Sequence, residues 1–458
     1  SHPEFEIGKI LSTTGTGKVF LKNQLKEIKE IIIQSMLGKG LYESYKPNFD
    51  EVVKFSRARI ASQYYELIKK LVSEKIVKIK SKFDKISLDK IPSTTITHII
   101  TGLERGGAER SLYNLLTNGL EGPFKNRVIS LMSEGYYGPL LKKKGIPLVS
   151  LNMSRGIINP KALWKLHSEI KKNPPDIIQG WMHPGNLAAF YASIITSKKI
   201  RLAWNVRLSL EIYKEMKIKT RATIRIGALL SKSPKVIIYN SFRSRNQHRK
   251  FGFIDKNDKL ISNGFLLNRW APNEEKRKII RNQLSIKEEI KVIGYVGRGD
   301  AQKDLPNLFD AFDEVSKKNP NTILVAIGRN LDKYNFKSNK IKFLGECSNI
   351  NELMLSFDVF CLSSRAEGFP NVIGEAMACG VPCVTTDVGD SKYIVDKTGW
   401  VVPPRNSKIL AENLNLALSF SNEELKIKGK LARKRVLDNF SMETVKEKYI
   451  SVYQSILK

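Results

Sequence analysis

From residue 95 onward the chain alternates short apolar runs with longer mixed segments. TITHII, RVISLM, DIIQGW, IRLAWNV and KVIIYN are rich in β-branched residues and too short for helices, so each predicts a strand. The stretches between them are long enough for crossover helices, which predicts a parallel, doubly wound sheet. Around 268–290 the chain turns polar and charged, with Pro272 included, and reads as a linker. The alternation then restarts with KVIGYVG, TILVAIG, IKFLG, DVFCL and PCVTT. Runs that are apolar at nearly every position predict strands buried on both faces.

Residues 1–92 follow another period. Leu21, Leu25, Ile28, Ile31 and Ile32 recur at helical spacing, as do Tyr64, Ile68, Leu71, Val72 and Ile76. Pro92 and the Ser-Thr-Thr run after it mark a boundary. The expected organisation is a helical N-terminal extension over 1–92 and an α/β domain with a Rossmann-like pattern over 93–270. A second such domain follows over 271–440, then a C-terminal helix over 441–458 that packs back towards the first. A length of 458 residues suits this division. Two doubly wound domains joined by a linker place a ligand cleft at the carboxyl ends of both sheets.

Composition narrows the setting. No apolar run reaches the length of a membrane span, and the N-terminus reads without a secretory signal, so a cytoplasmic protein is expected. Cys347, Cys361, Cys379 and Cys383 lack metal-site spacing and read as reduced, buried residues. The formal net charge of +32 is unevenly spread: residues 93–272 hold 30 Lys/Arg against 10 Asp/Glu. Such a field attracts phosphates, an anionic glycan or an anionic membrane surface. A solvated basic face is the plain alternative.

The chemistry concentrates in SSRAEGFPNVIGEAMACGVPCVTTDVGD, residues 363–390. A buried strand ends at a polar loop, and a helix begins near Asn371. Free N–H groups at a helix start are an anion site, which suits a diphosphate. Glu367 on the loop and Glu375 in the helix can each accept two hydrogen bonds from a vicinal diol, so together they grip two ends of a nucleotide sugar. In YVGRGDAQKDLPNLFDAF, residues 295–312, Arg298 and Lys303 follow a strand end, where two cations would neutralise a leaving diphosphate. In THIITGLERGGAERSLYNLL, residues 97–116, Gly106 and Gly107 allow close backbone approach to a ligand, and Glu109 and Arg110 read as structural. STTGTGKV, residues 12–19, is no phosphate loop, because Val19 follows Lys18 and no buried strand precedes it.

The 363–390 string, with its two glutamates separated by seven residues, resembles the E-x7-E region of family 4 retaining glycosyltransferases with the GT-B fold. The likeness continues through DSKYIVDKTGWVVPP, residues 390–404. It implies an α/β, GT-B architecture of two Rossmann-like domains facing a cleft. It also implies retaining transfer of a hexose-type sugar, with a UDP-sugar the expected donor, onto a glycan or lipid-linked glycan in cell-surface polysaccharide synthesis. By the resemblance, Glu367 and His183 serve catalysis, and Arg298, Lys303, Gly107 and Asn371 hold the donor diphosphate. Glu367, Gly368, Phe369, Pro370 and Glu375 hold donor sugar and ribose, while Gly106 and Arg207 face the acceptor. One departure stands in WMHPGNLAAF, residues 181–190: the relatives' His falls one residue later, at Pro184, so His183 or Asn186 takes that place.

No Asp-x-Asp metal motif stands at a strand end of the first domain, so no metal and no cofactor are expected beyond the nucleotide sugar as substrate. The expected partners are that donor, a glycan or lipid-linked acceptor, and an anionic membrane surface at the inner face of the cytoplasmic membrane. Residues 1–92 read either as a docking segment or as a packing arm. The alternatives are a phosphorylase or epimerase of the same fold, or a basic polyanion- or nucleic-acid-binding protein. Specific nucleic-acid binding would call for aromatics interleaved with the basic clusters, which are absent.

Overall fold

The structure, a computed structural model, describes residues 94–458 apart from 121, 155–158, 197–198, 255, 335 and 337. The helical extension expected over 1–92, with its STTGTGKV string, lies outside the described residues. Pro92–Lys458 forms one compact unit, built of two parallel sheets.

The first sheet follows the chain as β1 (Thr95–Ile100), α1 (Gly107–Asn118), β2 (Lys125–Ser130), α2 (Tyr137–Lys143), β3 (Leu148–Ser150), α3 (Pro160–Lys172), β4 (Ile177–Trp181), α4 (Met182–Ile194), β5 (Arg201–Val206), α5 (Ile218–Leu230), β6 (Val236–Tyr239), α6 (Phe242–Lys250) and β7 (Asp258–Leu260). Its strand order is β3-β2-β1-β4-β5-β6-β7, all parallel. The order reverses at β1 and β4, so loops leaving their carboxyl ends diverge and leave a crevice. Core residues fill both faces. Leu112, Leu115 and Leu116 of α1 pack with Ile96 and Trp181 on one; Leu166 of α3, Ala189 of α4 and Ile224 of α5 pack with Ile99 and Trp204 on the other.

The second sheet comprises α7 (Glu274–Gln283), β8 (Lys291–Val296), α8 (Leu305–Lys318), β9 (Thr322–Ile327), β10 (Ile341–Gly345), α9 (Ile350–Leu353), β11 (Val359–Leu362), α10 (Asn371–Ala378), β12 (Cys383–Thr386), α11 (Ser391–Val395), β13 (Trp400–Val402), α12 (Ser407–Leu418) and α13 (Asn422–Phe440). Its order is β10-β9-β8-β11-β12-β13, again parallel. Helix α8 shows how the sequence fixes an element. Leu305, Leu308, Phe309, Phe312 and Val315 recur along one face and are buried, while the opposite face is polar.

The stretch read as a linker over 268–290 contains helix α7. Asn273 caps α7, its side chain accepting from the Lys276 amide. Arg277 and Arg281 of this helix pair with Asp358 at 2.6 and 3.4 Å. Polar composition concealed a helix whose inner face is held by ion pairs as well as by the buried Ile280.

The last helix, α14 (Met442–Leu457), belongs physically to the first sheet. Val445, Tyr449, Val452 and Tyr453 are buried with Ile96, Trp181 and Ile238. The Tyr453 hydroxyl donates to Gln179 at 2.5 Å, and the Asn205 side-chain amide donates to the Tyr449 hydroxyl at 2.7 Å. The two chain crossings between the sheets are tied together: the Phe265 amide donates to the Phe440 carbonyl, and the Met442 amide to the Phe265 carbonyl.

Candidate active site

The site residues collect where the carboxyl ends of the two sheets meet. On the second-domain side, the chain leaves β8 and makes a single short turn at Ala301–Lys303. Asp300 caps this turn, and Asp304 ends it in the left-handed region at φ 49°. That reversal aims Lys303 at the loop after β11, where its ammonium donates to Glu367 Oε1 at 2.5 Å. Ser364 donates to the same oxygen at 2.8 Å. The two loops are stitched by Ser363 donating to the Lys303 carbonyl and Gln302 donating to the Ala366 carbonyl. Glu367 is therefore held by two donors on stitched loops rather than free on a surface turn. Arg298, more exposed, lies 3.4 Å from Asp300.

Helix α10 starts at Asn371 directly after Pro370, and neither its cap residue nor its first turn supplies a side chain to the free backbone N–H groups. Such groups attract an anion. Glu375 lies within this helix, buried, and pairs with Arg110 of the first domain at 2.5 Å. Burial pushes the Glu375 carboxyl above its ordinary value, against the pull of Arg110 and Arg269. Arg110, Ser111, Gly264, Arg269, Asn371 and Glu375 surround a cavity of only about 20 Å³. Phe369 is buried, stacked with Phe265 and edge-on to Phe440.

The first domain meets this wall closely. A Cβ at Gly107 would stand 3.3 Å from the Asn371 side-chain nitrogen. Arg207, at the carboxyl end of β5, lies over the Trp181 ring and donates to Asn205 and to Asn263. Asn263 in turn donates to Asn371 at 2.5 Å. A Cβ at Gly368 would sit 3.5 Å from the Arg207 carbonyl. Gly106, Gly107, Arg207, Gly368 and Asn371 are thus brought to one seam. Burial pushes the Glu109 carboxyl up, while Arg207 and Arg298 pull it down from opposite domains.

His183 is not brought there. Its Nε2 lies 3.1 Å from His248 Nε2, with the rings stacked, and its Nδ1 faces Gly227 on α5. Burial and the neighbouring His248 push it down to about 3. The sugar-contacting role expected of His183 does not fit this position. Met182 opens α4 at φ 62°, which turns residue 183 inward, and the relatives' position is held by exposed Pro184. Asn186 is likewise occupied, exchanging hydrogen bonds with the Asn205 backbone.

The structure adds residues that the sequence left unremarked. Asp390 of the second domain accepts from the Ser241 hydroxyl and from the Phe242 and Arg243 amides, at 2.8, 2.7 and 3.0 Å, at the start of α6 of the first. Arg243 pairs with Glu211 at 2.9 Å and with Asp387 at 2.8 Å. Glu211 accepts from the Gly389 amide and from the Glu367 amide. Gly389 has φ 50°, and a Cβ there would lie 2.4 Å from the Gly368 carbonyl oxygen, so only glycine lets these loops touch. No spacing rule finds such partners, because they lie far apart in sequence. Among the described residues no three His, Cys, Asp or Glu side chains converge as metal ligands.

Two facing parallel sheets, with glycine-opened loops and paired cations and carboxylates at their carboxyl ends, make up a GT-B architecture. Residues 276–435 match the family described as glycosyl transferases group 1, and the relatives that the chain resembles along its length are bacterial glycosyltransferases. It is 27% identical over 318 residues to the capsular polysaccharide biosynthesis glycosyltransferase CapM of Staphylococcus aureus, covering 65% of this chain and 81% of that protein. It is 24% identical over 357 residues to the N,N'-diacetylbacillosaminyl-diphospho-undecaprenol alpha-1,3-N-acetylgalactosaminyltransferase of Campylobacter jejuni, covering 73% of this chain and 92% of that one. The Anabaena HepE structure in complex with UDP and glucose superposes with a TM-score of 0.68 at 22% identity, over 79% of this chain and all of that one.

Proposed function

We propose that the protein transfers a hexose-type sugar from a UDP-sugar, with retention and without a metal ion, to a glycan or lipid-linked glycan acceptor. One observation carries this reading. Lys303 holds Glu367 on the loop that leads into the open N-terminus of α10. Cations and backbone donors there suit a diphosphate, and the adjacent carboxylate suits the sugar it carries. HepE binds UDP and glucose on the same fold, and the C. jejuni relative is named for a diphospho-undecaprenol substrate.

The chemistry follows from charge. An arriving diphosphate competes with Glu367 for Lys303 and frees the carboxylate to accept sugar hydroxyls. Glu375 accepts from the ribose diol once Arg110 turns towards phosphate. Arg110 pairs with Glu375 in the wall of a small cavity, so the ribose reaches this carboxylate as Arg110 gives way. The bond from the anomeric carbon to phosphate breaks as the bond to the acceptor oxygen forms on the same face. The departing phosphate oxygen takes the acceptor's proton. Lys303, Arg298 and the α10 amides stabilise the growing negative charge, most strongly in the transition state. The excess of 30 Lys/Arg over 10 Asp/Glu in residues 93–272 favours an anionic acceptor presented at the inner face of the cytoplasmic membrane.

The anomeric configuration of the product, read by NMR with and without EDTA, tests both finer points. An α-linked product from an α-linked donor, formed at the same rate in EDTA, is expected. An inverted product would end the retention reading, and loss of turnover in EDTA would end metal independence.

A further inference from the structure

Helix α5 buries Ile224 and Gly227 against the first sheet and turns the opposite stripe outward. Ile218, Ala222, Arg225 and Leu229 recur along that outer stripe at helical spacing, with Ile226 beside it. Ile218 is 75% exposed, Leu229 79% and Ile226 47%. Large apolar side chains so fully in water, on one helix face, mark an interaction surface.

The rim around them commits the partner. Residues 212–235 carry seven Lys/Arg and a single acid, Glu215. Lys214, Lys217, Arg225 and Lys232 are all exposed. An apolar stripe bordered almost wholly by cations matches an anionic lipid surface, because aliphatic tips enter the acyl boundary while the basic groups meet headgroups. A nucleic acid would leave the three aliphatic chains in water. The location agrees: α5 begins beyond the carboxyl end of β5, where Arg207 lines the cleft. A bilayer on this face lies next to the cleft mouth.

We infer that the outer face of α5 seats the protein on an anionic bilayer. This deepens the proposed membrane-side reading of the acceptor by naming the surface, and its test does not depend on catalysis. Co-sedimentation of the full chain is measured with vesicles of phosphatidylcholine alone and of phosphatidylcholine with phosphatidylglycerol. Binding to the mixed vesicles only is expected. The exposed pair Ile226→Ser/Leu229→Ser and, separately, Arg221→Gln/Arg225→Gln should each lower partitioning about tenfold. The thermal shift produced by UDP should stay unchanged, which separates a docking defect from failure of the donor-site reading. Undiminished partitioning of both variants, as residues 1–92 or diffuse charge would produce, overturns the proposal. Absence of wild-type binding to the mixed vesicles overturns it too.

Discussion

At the scale of single residues, the contact between Arg110 and Glu375 says most. Each was legible alone, Glu375 as a grip on the donor and Arg110 as a structural helix residue. Their pairing across the domains was not, because no sequence spacing encodes a contact between separate sheets. Arg110→Ala leaves a buried carboxylate without its cation, at a cost of about 2 kcal/mol, below the usual range for buried pairs because Arg110 is partly exposed. The Glu375 carboxyl already stands above its ordinary value through burial, and the variant raises it further. A folded-state carboxyl raised above its unfolded value takes up protons on folding, so stability falls as pH rises past the unfolded value. The variant's deficit should therefore be largest near pH 8 and shrink towards pH 5 in urea denaturation. A deficit independent of pH would contradict this account. The reverse lesson comes from His183. Its residue type suggested chemistry, but Met182 at positive φ turned it towards His248, and local backbone geometry of that kind is invisible in composition.

Elements were read best where apolar periodicity was strong. The long inner strands and α8 follow directly from their patterns. The three-residue edge strands β3, β7 and β13 are too short to show a period, and α7 hid behind its charge. The joint between α6 and the loop after β12 was also hidden, since the helix carries its own cap, Ser241, while the other domain supplies the carboxylate that takes its first two amides. Asp390 satisfies α6 amides that otherwise face only solvent. Asp390→Ala should cost about 1–2 kcal/mol, as loss of an N-cap does. It should also speed hydrogen exchange at the start of α6 relative to α5. Equal protection in variant and wild type would show that the carboxylate does not hold the domains at this point.

For the whole molecule, two features bind the domains into one body. The chain crosses from the first sheet to the second beside Phe265, and returns beside Ser441. Helix α14 then completes the first-domain core. Tyr453 is fully buried and meets Phe124 edge-on, so Tyr453→Ala should cost about 3–5 kcal/mol and lower the thermal midpoint, although it lies far in sequence from the strands that it packs on. A midpoint within a degree of wild type would place the first-domain core elsewhere. The central claim is that Glu367, Lys303 and Glu375 grip a nucleotide sugar in the second domain. Thermal shift against UDP-, GDP-, ADP- and CMP-sugars tests it most directly, since a ligand bound only by the folded state raises its stability. The account predicts that a UDP-sugar raises the wild-type midpoint, that Glu375→Ala weakens the shift, and that Glu367→Ala keeps much of it while turnover falls. A wild-type protein that responds to no nucleotide sugar, or a Glu375→Ala variant that responds as wild type does, would contradict it.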